Sequence, residues 1–162
     1  MRLRTICLLL FIFFTTAIKS ETFAQGFDRQ HFYDVMSSGK MKGVNEELDL
    51  LSTSAVNEKE AYEGALLIRK AGLTTFPSEK LKLFKKGRIK LETAIMNDNK
   101  NAEYRFLRMS IEEHAPKIVK YNADIETDKA IVIKSFKSLH PAVQQAIIDY
   151  SKNSKVIHPQ DF

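Results

Sequence analysis

Residues 77–116 read PSEKLKLFKKGRIKLETAIMNDNKNAEYRFLRMSIEEHAP, and they are the most strongly patterned part of the 162-residue chain. In the first half of this stretch, apolar residues recur at helical spacing. At about 100° per residue they share one arc about 120° wide, which predicts a helix packed on one side. Ser78 is expected to cap this helix. The apolar positions are Leu83, Phe84, Gly87, Leu91, Ala94 and Ile95.

An Asn- and Asp-rich turn follows, and its side chains compete for backbone hydrogen bonds, so the first helix is expected to end there. Asn101 is placed to cap the next helix, residues 102–113. This second helix has two apolar sides, with a polar stripe of Arg105, Arg108 and Glu112 between them. A helix that is apolar on two sides is covered on two sides. We therefore expect it in the middle of a stack of helices.

The junction between the two helices, residues 87–107, resembles the tetratricopeptide repeat. Gly87, Leu91 and Ala94 stand where that family has packing residues in the second helix of a repeat, and residues 98–104 follow in its order of turn and next-helix residues. The 34-residue period of the family does not recur along the chain. The resemblance implies antiparallel packing of a helix pair and a scaffold that binds other proteins. As a whole, the chain is similar to small exported bacterial proteins.

The first 24 residues have the layout of a secretory signal peptide. Arg2 and Arg4 give a basic start, residues 6–14 are an unbroken apolar run, and Ala24–Gln25 offers a cleavage position. The apolar run is shorter than the roughly 20 residues that a membrane-spanning helix needs. An uncleaved membrane anchor is the alternative interpretation. We expect cleavage near Ala24–Gln25 and a periplasmic or secreted protein with no transmembrane span after processing.

Composition limits the remaining possibilities. The only cysteine, Cys7, lies inside the apolar run, so the processed chain would have no disulfide and would depend on packing for its stability. Residues 25–155 are long enough for one domain with its own core, and residues 156–162 are expected to form a flexible tail. The formal net charge of +5 is small and says little about partners.

Periodicity along residues 25–155 predicts an all-α, single-domain bundle of about six or seven helices. The third helix, expected to end at Gly72, has an inward face of small residues around Gly64. Small residues let a second helix approach closely, and the helix that contains Gly87 is the expected neighbour. The β-branched run at residues 131–133 leaves a strand as an alternative for one segment. No second strand-like run offers a sheet partner, so the predicted class stays all-α.

Side chains that carry enzyme chemistry do not converge in the sequence. None of the four histidines has a second His or Cys at ligand spacing, whereas a zinc site needs three or four ligands. The chain has neither a Gly-x-Ser-x-Gly elbow nor a Gly-rich phosphate loop. We therefore predict no catalytic residue, no metal site and no cofactor. An enzyme whose site is assembled from several helices stays open as an alternative.

Six cations lie within residues 80–90, which is the densest charge in the chain. One interpretation is a contact with an anionic surface, such as phospholipid headgroups, through Lys82, Lys85, Lys86 and Lys90. The other is a solvated helix face. Nucleic acid is disfavoured because the chain is expected to be exported and because aromatic residues are not interleaved with the cations.

Aromatic and arginine side chains are common binding anchors. The candidate binding residues, with Phe106 beside them in a possible groove between helices, are Tyr62, Arg88, Glu92, Tyr104, Arg105 and Arg108. Alternatively the rings are core residues, Arg88 pairs with Glu92 one turn on, and Arg108 pairs with Glu112. We expect an exported, non-enzymatic binding or scaffold module for another protein of the cell envelope. The alternative is a small periplasmic enzyme or an association factor for anionic envelope surfaces that uses the Lys80–Lys90 face.

Overall fold

The computed structural model describes residues 27–162, so the predicted signal peptide lies outside the described residues. The described part contains seven α-helices and no strand, which confirms the all-α bundle, and residues 131–133 are helical. The helices are α1 (Arg29–Ser38), α2 (Met41–Thr53), α3 (Lys59–Leu73), α4 (Pro77–Asn97), α5 (Ala102–His114), α6 (Ile125–Ser135) and α7 (Pro141–Ser151). Short 3₁₀ helices lie at Lys117–Val119, Phe136–Ser138 and Pro159–Asp161.

The helix boundaries follow the capping residues at most positions. The Asn101 side chain accepts hydrogen bonds from two backbone N–H groups of the first turn of α5, which confirms it as the cap. Asp28 and His140 cap α1 and α7 in the same way. Gly39 ends α1 with a left-handed φ of 64°, a conformation that is easiest for glycine.

Two predicted helix ends are wrong. α4 begins at Pro77, so Ser78 lies inside its first turn and does not cap it. Proline suits the first helical position because its φ is already helical and its missing N–H is not needed there. α3 continues through Gly72 to Leu73, and the following Thr74 has an extended backbone. An extended cap needs no glycine, so Gly72 does not terminate the helix.

The closest packing in the fold is between α3 and α4, which the short link at residues 74–76 makes antiparallel. Gly64 and Gly87 bring the two backbones into contact. A Cβ on Gly64 would lie 2.8 Å from the Gly87 oxygen, and a Cβ on Gly87 would lie 2.6 Å from the Gly64 oxygen. The predicted close approach of these two helices is therefore confirmed.

α5 lies in the middle of the bundle and contacts α3, α4 and α6. Both of its apolar sides are buried, as predicted, but so is part of the polar stripe between them. The buried side chains of the helix are Ala102, Glu103, Tyr104, Phe106, Leu107, Arg108, Met109, Ile111 and Glu112. A buried polar stripe needs partners from neighbouring elements.

The C-terminal tail differs from the prediction that it frays. Ile157 is fully buried, and the ring of Phe162 lies 4.5 Å from that of Phe136. The Ser154 hydroxyl donates to the Glu113 carboxylate at 2.7 Å. These apolar and polar contacts hold the tail against the body of the domain.

The glycine contact makes a testable prediction. In Gly87→Ala, the new methyl group meets a backbone oxygen that cannot rotate away, so we expect a net loss of about 1–3 kcal/mol in the free energy of unfolding. This outweighs the roughly 1 kcal/mol that alanine adds through helix propensity. Urea unfolding of the two proteins measures the difference.

Gly72→Ala is the matched control, because nothing lies within 4 Å of its added Cβ. We expect this variant to gain up to about 1 kcal/mol. A Gly87→Ala protein as stable as the control variant would show that the α3–α4 backbones are not in contact.

Candidate functional site

The predicted site residues do not form one groove, because the structure divides them between separate buried networks around α5. Arg108 is the centre of the first network. Its Nε and Nη2 donate to the two oxygens of Asp128 at 2.7 and 2.8 Å. Its Nη1 donates to Glu92 at 2.9 Å, and Asp124 lies 3.3 Å away on the solvent side. Arg108 thus joins α5 to both α4 and α6.

Two further arginines, Arg105 and Arg88, lie beside this network and interact with it in different ways. Arg105 donates to Asp128 at 3.1 Å, so this fully buried carboxylate is shared by two guanidinium groups. The Tyr121 hydroxyl donates to Glu92 at 2.5 Å, and Arg88 stacks over the Tyr121 ring at 4.7 Å. Arg88 does not pair with Glu92, the alternative that the sequence left open, because Arg108 and Tyr121 occupy the Glu92 carboxylate.

The Arg108–Glu112 pair, left open by the sequence, is not formed either. Glu112 accepts the Asp124 backbone N–H at 3.1 Å, and its other oxygen is buried with no hydrogen-bond partner among the described residues. Burial raises the pKa of Glu112. Burial alone would lower the pKa of Arg108, but the hydrogen bonds and charge of Asp128 raise it overall. The polar atoms of Arg108 interact with other residues of the protein, so this network has a structural role and holds α4, α5 and α6 together.

Tyr62 belongs to the second network, which sequence reasoning missed. Its hydroxyl donates to Glu103 at 2.7 Å, Tyr33 donates to the same oxygen at 3.0 Å, and Arg29 lies 3.5 Å from the other oxygen. Burial raises the pKa of Tyr33, Tyr62 and Glu103. Tyr104 is buried nearby on α5, and burial raises its pKa to about 12. Neither Tyr62 nor Tyr104 belongs to the network around Arg108.

The described structure contains a half-open cleft of about 860 Å³. It lies between α1, the end of α3, the start of α4, α5 and α7, and one apolar side of α5 supplies part of its floor. Of the side chains singled out from the sequence for a groove, Phe106 lines it, whereas the six predicted binding residues do not. Its apolar lining includes Met36, Ile68, Phe84, Phe106, Leu107, Ile111, Ala115, Val119 and Ala146.

The rim of the cleft is polar, and its charges differ in whether they are already paired. Asp34 accepts a hydrogen bond from a glutamine at 3.0 Å, and Asp149 pairs with Lys152 at 2.6 Å. The Nε of Arg69, in contrast, is buried and has no hydrogen-bond partner among the described residues. Lys80 also lines the cleft and is exposed. The cleft lining therefore holds two cations, Arg69 and Lys80, against one carboxylate, Asp34, that has no cationic partner among the described residues.

A hydrogen-bonded group around Glu113 lies at one end of the cleft, and it contains residue types that enzymes use. Tyr150 and Ser154 donate to the Glu113 carboxylate, and the Lys155 N–H also donates to it at 2.7 Å. Although burial opposes it, these hydrogen bonds lower the pKa of Glu113. His114 donates from Nδ1 to a backbone oxygen 2.9 Å away. The Ser154 hydroxyl thus donates to the Glu113 carboxylate and not to the His114 imidazole. It therefore lacks the hydrogen bond to a histidine base that activates a serine nucleophile.

Two further observations concern residues 27–162 as a whole. Within this range, no three His, Cys, Asp or Glu side chains are grouped so that they could hold a metal ion. The helices of the same range are too short or too polar to span a bilayer.

The network around Arg108 leads to a prediction about stability. The loss of a buried anionic partner should cost more free energy of unfolding than the loss of an exposed one. Asp128→Asn leaves Arg108 buried without its bidentate partner, and we expect a loss of about 3–5 kcal/mol in the free energy of unfolding. Asp124→Asn is the control, since that carboxylate contacts the same guanidinium but is 43% exposed; we expect a loss of less than about 1 kcal/mol. Equal losses in urea unfolding would rule out Asp128 as the main partner.

The raised pKa of Glu112 predicts a pH dependence of stability. Between about pH 4.5 and the folded pKa, the folded wild type holds a proton that the unfolded chain has released, so its stability falls as the pH rises through this window. Glu112→Gln lacks this titration. Its stability relative to the wild type should therefore increase from about pH 4.5 to about pH 8, as measured by urea unfolding. A difference that shrinks over this range would contradict the assignment.

Comparison of the chain with protein-family models, with curated proteins and with solved structures found no match. The resemblance to tetratricopeptide repeats therefore rests on residues 87–107 alone.

Proposed function

We propose that this protein is a non-enzymatic binding module that acts on another protein of the cell envelope and takes the apolar face of an amphipathic helix into its cleft. The observation that carries the proposal is the half-open, apolar cleft of about 860 Å³ beside α5. Placement in the envelope follows from the predicted signal peptide. The resemblance at residues 87–107 supports a binding role by fold analogy only.

The openness of the cleft favours an amphipathic occupant. A purely apolar ligand in a half-open cleft would leave one side in water, whereas an amphipathic helix buries its apolar stripe and keeps its polar side solvated. The size also fits. About three turns of a helix about 10 Å across, embedded to half their depth, occupy roughly 600 Å³.

The rim specifies the charge of the partner. Arg69 and Lys80 line the cleft, Asp149 is paired with Lys152, and Asp34 is the one lining aspartate without a cationic partner among the described residues, so the cations are in excess. An occupant with acidic side chains beside its apolar stripe would pair with the cations. We therefore propose an acidic amphipathic helix as the bound segment.

Site-specific crosslinking in intact cells tests this function. A photoreactive amino acid replaces Ser110, which lines the cleft, and the same amino acid replaces Gln145 as the control, since Gln145 is exposed outside the cleft lining. Mass spectrometry should map the Ser110 adduct to an apolar residue of an amphipathic, acidic segment of one envelope protein. The Gln145 protein should not give that adduct.

A filled cleft provides a second test with the purified protein. Ala146→Trp places a large ring in the cleft, so it should abolish binding of a synthetic peptide of the captured segment, and Arg69→Glu should weaken that binding by charge reversal. Thermal melts establish that the variants are folded. A lipid adduct at Ser110, the same adducts at both positions, or peptide binding that survives Ala146→Trp would overturn the proposal.

A further inference from the structure

The outer side of α4 carries apolar side chains that the fold leaves exposed. Leu81, Ile89 and Met96 are 47%, 67% and 78% exposed. At about 100° per residue they lie, together with Lys85, within an arc of about 80°. Most of the apolar side chains of the domain are packed in its core, so a row of three on one exposed helix face needs an explanation.

The five lysines of α4 lie in three settings. Lys80 lines the cleft. Lys90 is half-buried and pairs with Glu63 at 2.9 Å, so it belongs to the α3–α4 packing. Lys82, Lys85 and Lys86 are exposed and make no ion pair with the described residues. We call the exposed Leu81, Ile89 and Met96 together with these three lysines the α4 strip.

Neighbouring residues add to the same character. Arg88 stacks on Tyr121, which places the segment after α5 alongside α4. In that segment Ile118 is 88% exposed, and Ile118 and Leu81 both border the mouth of the cleft. Glu92, an acidic side chain on the strip side of α4, is engaged by Arg108 and Tyr121. The strip thus offers apolar groups and cations. Of the two acidic side chains of α4, Glu92 is paired within the protein, and Glu79 is exposed in the first turn of the helix.

We propose that the α4 strip is a docking surface for an anionic lipid bilayer, on which Ile89 and Met96 enter the interface while the lysines contact the headgroups. Exposed apolar side chains flanked by lysines on one helix face are the pattern by which helices lie in the interface plane of anionic membranes. A face in contact with solvent alone would not need the apolar row. An acidic protein surface would interact mainly with the lysines. Apart from Leu81, which belongs to both, the strip and the cleft lining have no residue in common.

The chain contains no tryptophan, so a single introduced one reports on one position. Met96→Trp places the reporter on the strip, and Leu50→Trp places it at an exposed position on α2, 60% exposed, as the control. Each full chain is mixed with vesicles of phosphatidylglycerol and phosphatidylcholine, or with vesicles of phosphatidylcholine alone. Emission from position 96 should shift to shorter wavelength with the anionic vesicles only, and emission from position 50 should not shift.

Charge variants test the lysines separately. The triple change of Lys82, Lys85 and Lys86 to Gln should weaken binding to the anionic vesicles about 100-fold, since each basic side chain near such a surface contributes roughly fivefold. The control changes Lys134, Lys137 and Lys155 to Gln, which alters the net charge equally outside the strip and should change binding only a few-fold. Because the N-terminal region is the same in all proteins, differences between variants report on the strip.

The outcomes that overturn the proposal are distinct. Equal shifts at positions 96 and 50 would show binding without use of the strip. Equal binding to neutral vesicles, or equal loss in the two triple variants, would remove the lysines from the interaction. If the tryptophan emission from position 96 does not shift with anionic vesicles at low salt, the strip contacts another protein or solvent and not a bilayer. None of these results bears on peptide binding in the cleft, so the two proposals can fail separately.

Discussion

The buried pairing of Arg108 with Asp128 is the interaction on which the arrangement around α5 depends. A guanidinium and a carboxylate removed from water are stable only when each is fully paired, so α6 must bring Asp128 to the middle of α5, and α4 must bring Glu92 to the same point. Arg105 and Tyr121 complete the pairing from either side. One side of α5 is thereby closed.

The opposite side of α5 borders the cleft, and this asymmetry gives the domain its candidate function. The side that carries Phe106, Leu107 and Ile111 contributes to the cleft, which residues of α1 and α7 also line. The Gly64–Gly87 contact packs α3 and α4 closely as one pair, and both helices line the cleft. An apolar cleft between packed helices is suited to receive a preformed element such as a helix, since little entropy is lost in shaping the site.

Local patterns in the sequence predicted what local physics determines. The helix spacing, the cap at Asn101 and the small-residue contact of Gly64 with Gly87 depend on residues close together or on simple steric rules. The networks depend on distant partners. Arg108 lies 20 residues from Asp128, and Glu103 lies 70 residues from Tyr33. From the sequence, Glu103 reads as an ordinary acid in the first turn of a helix, so nothing marked it as the buried partner of two tyrosines.

The cleft was hidden for a related reason. Its lining is drawn from residues 30–154, and it exists because helices that are distant in the sequence fail to close on one another. Among the aromatic residues of its lining, only Phe106 was singled out for a groove, since aromatic and arginine side chains are common binding anchors. The arginines singled out with it are placed by electrostatics in the closed network. Amphipathic spacing predicts which side of a helix is covered, but it does not show whether a neighbouring helix or a partner covers it.

Methyl NMR of the purified protein shows whether a helical segment occupies the cleft. Ile68 and Ile111 border the cleft, whereas Ile147 and Ile157 are fully buried elsewhere. When the envelope segment captured at Ser110 is added as a peptide, the methyl resonances of Ile68 and Ile111 should shift and saturate while those of Ile147 and Ile157 stay in place. Unchanged Ile68 and Ile111 resonances, or equal shifts at all four residues, would contradict occupancy of the cleft by this segment.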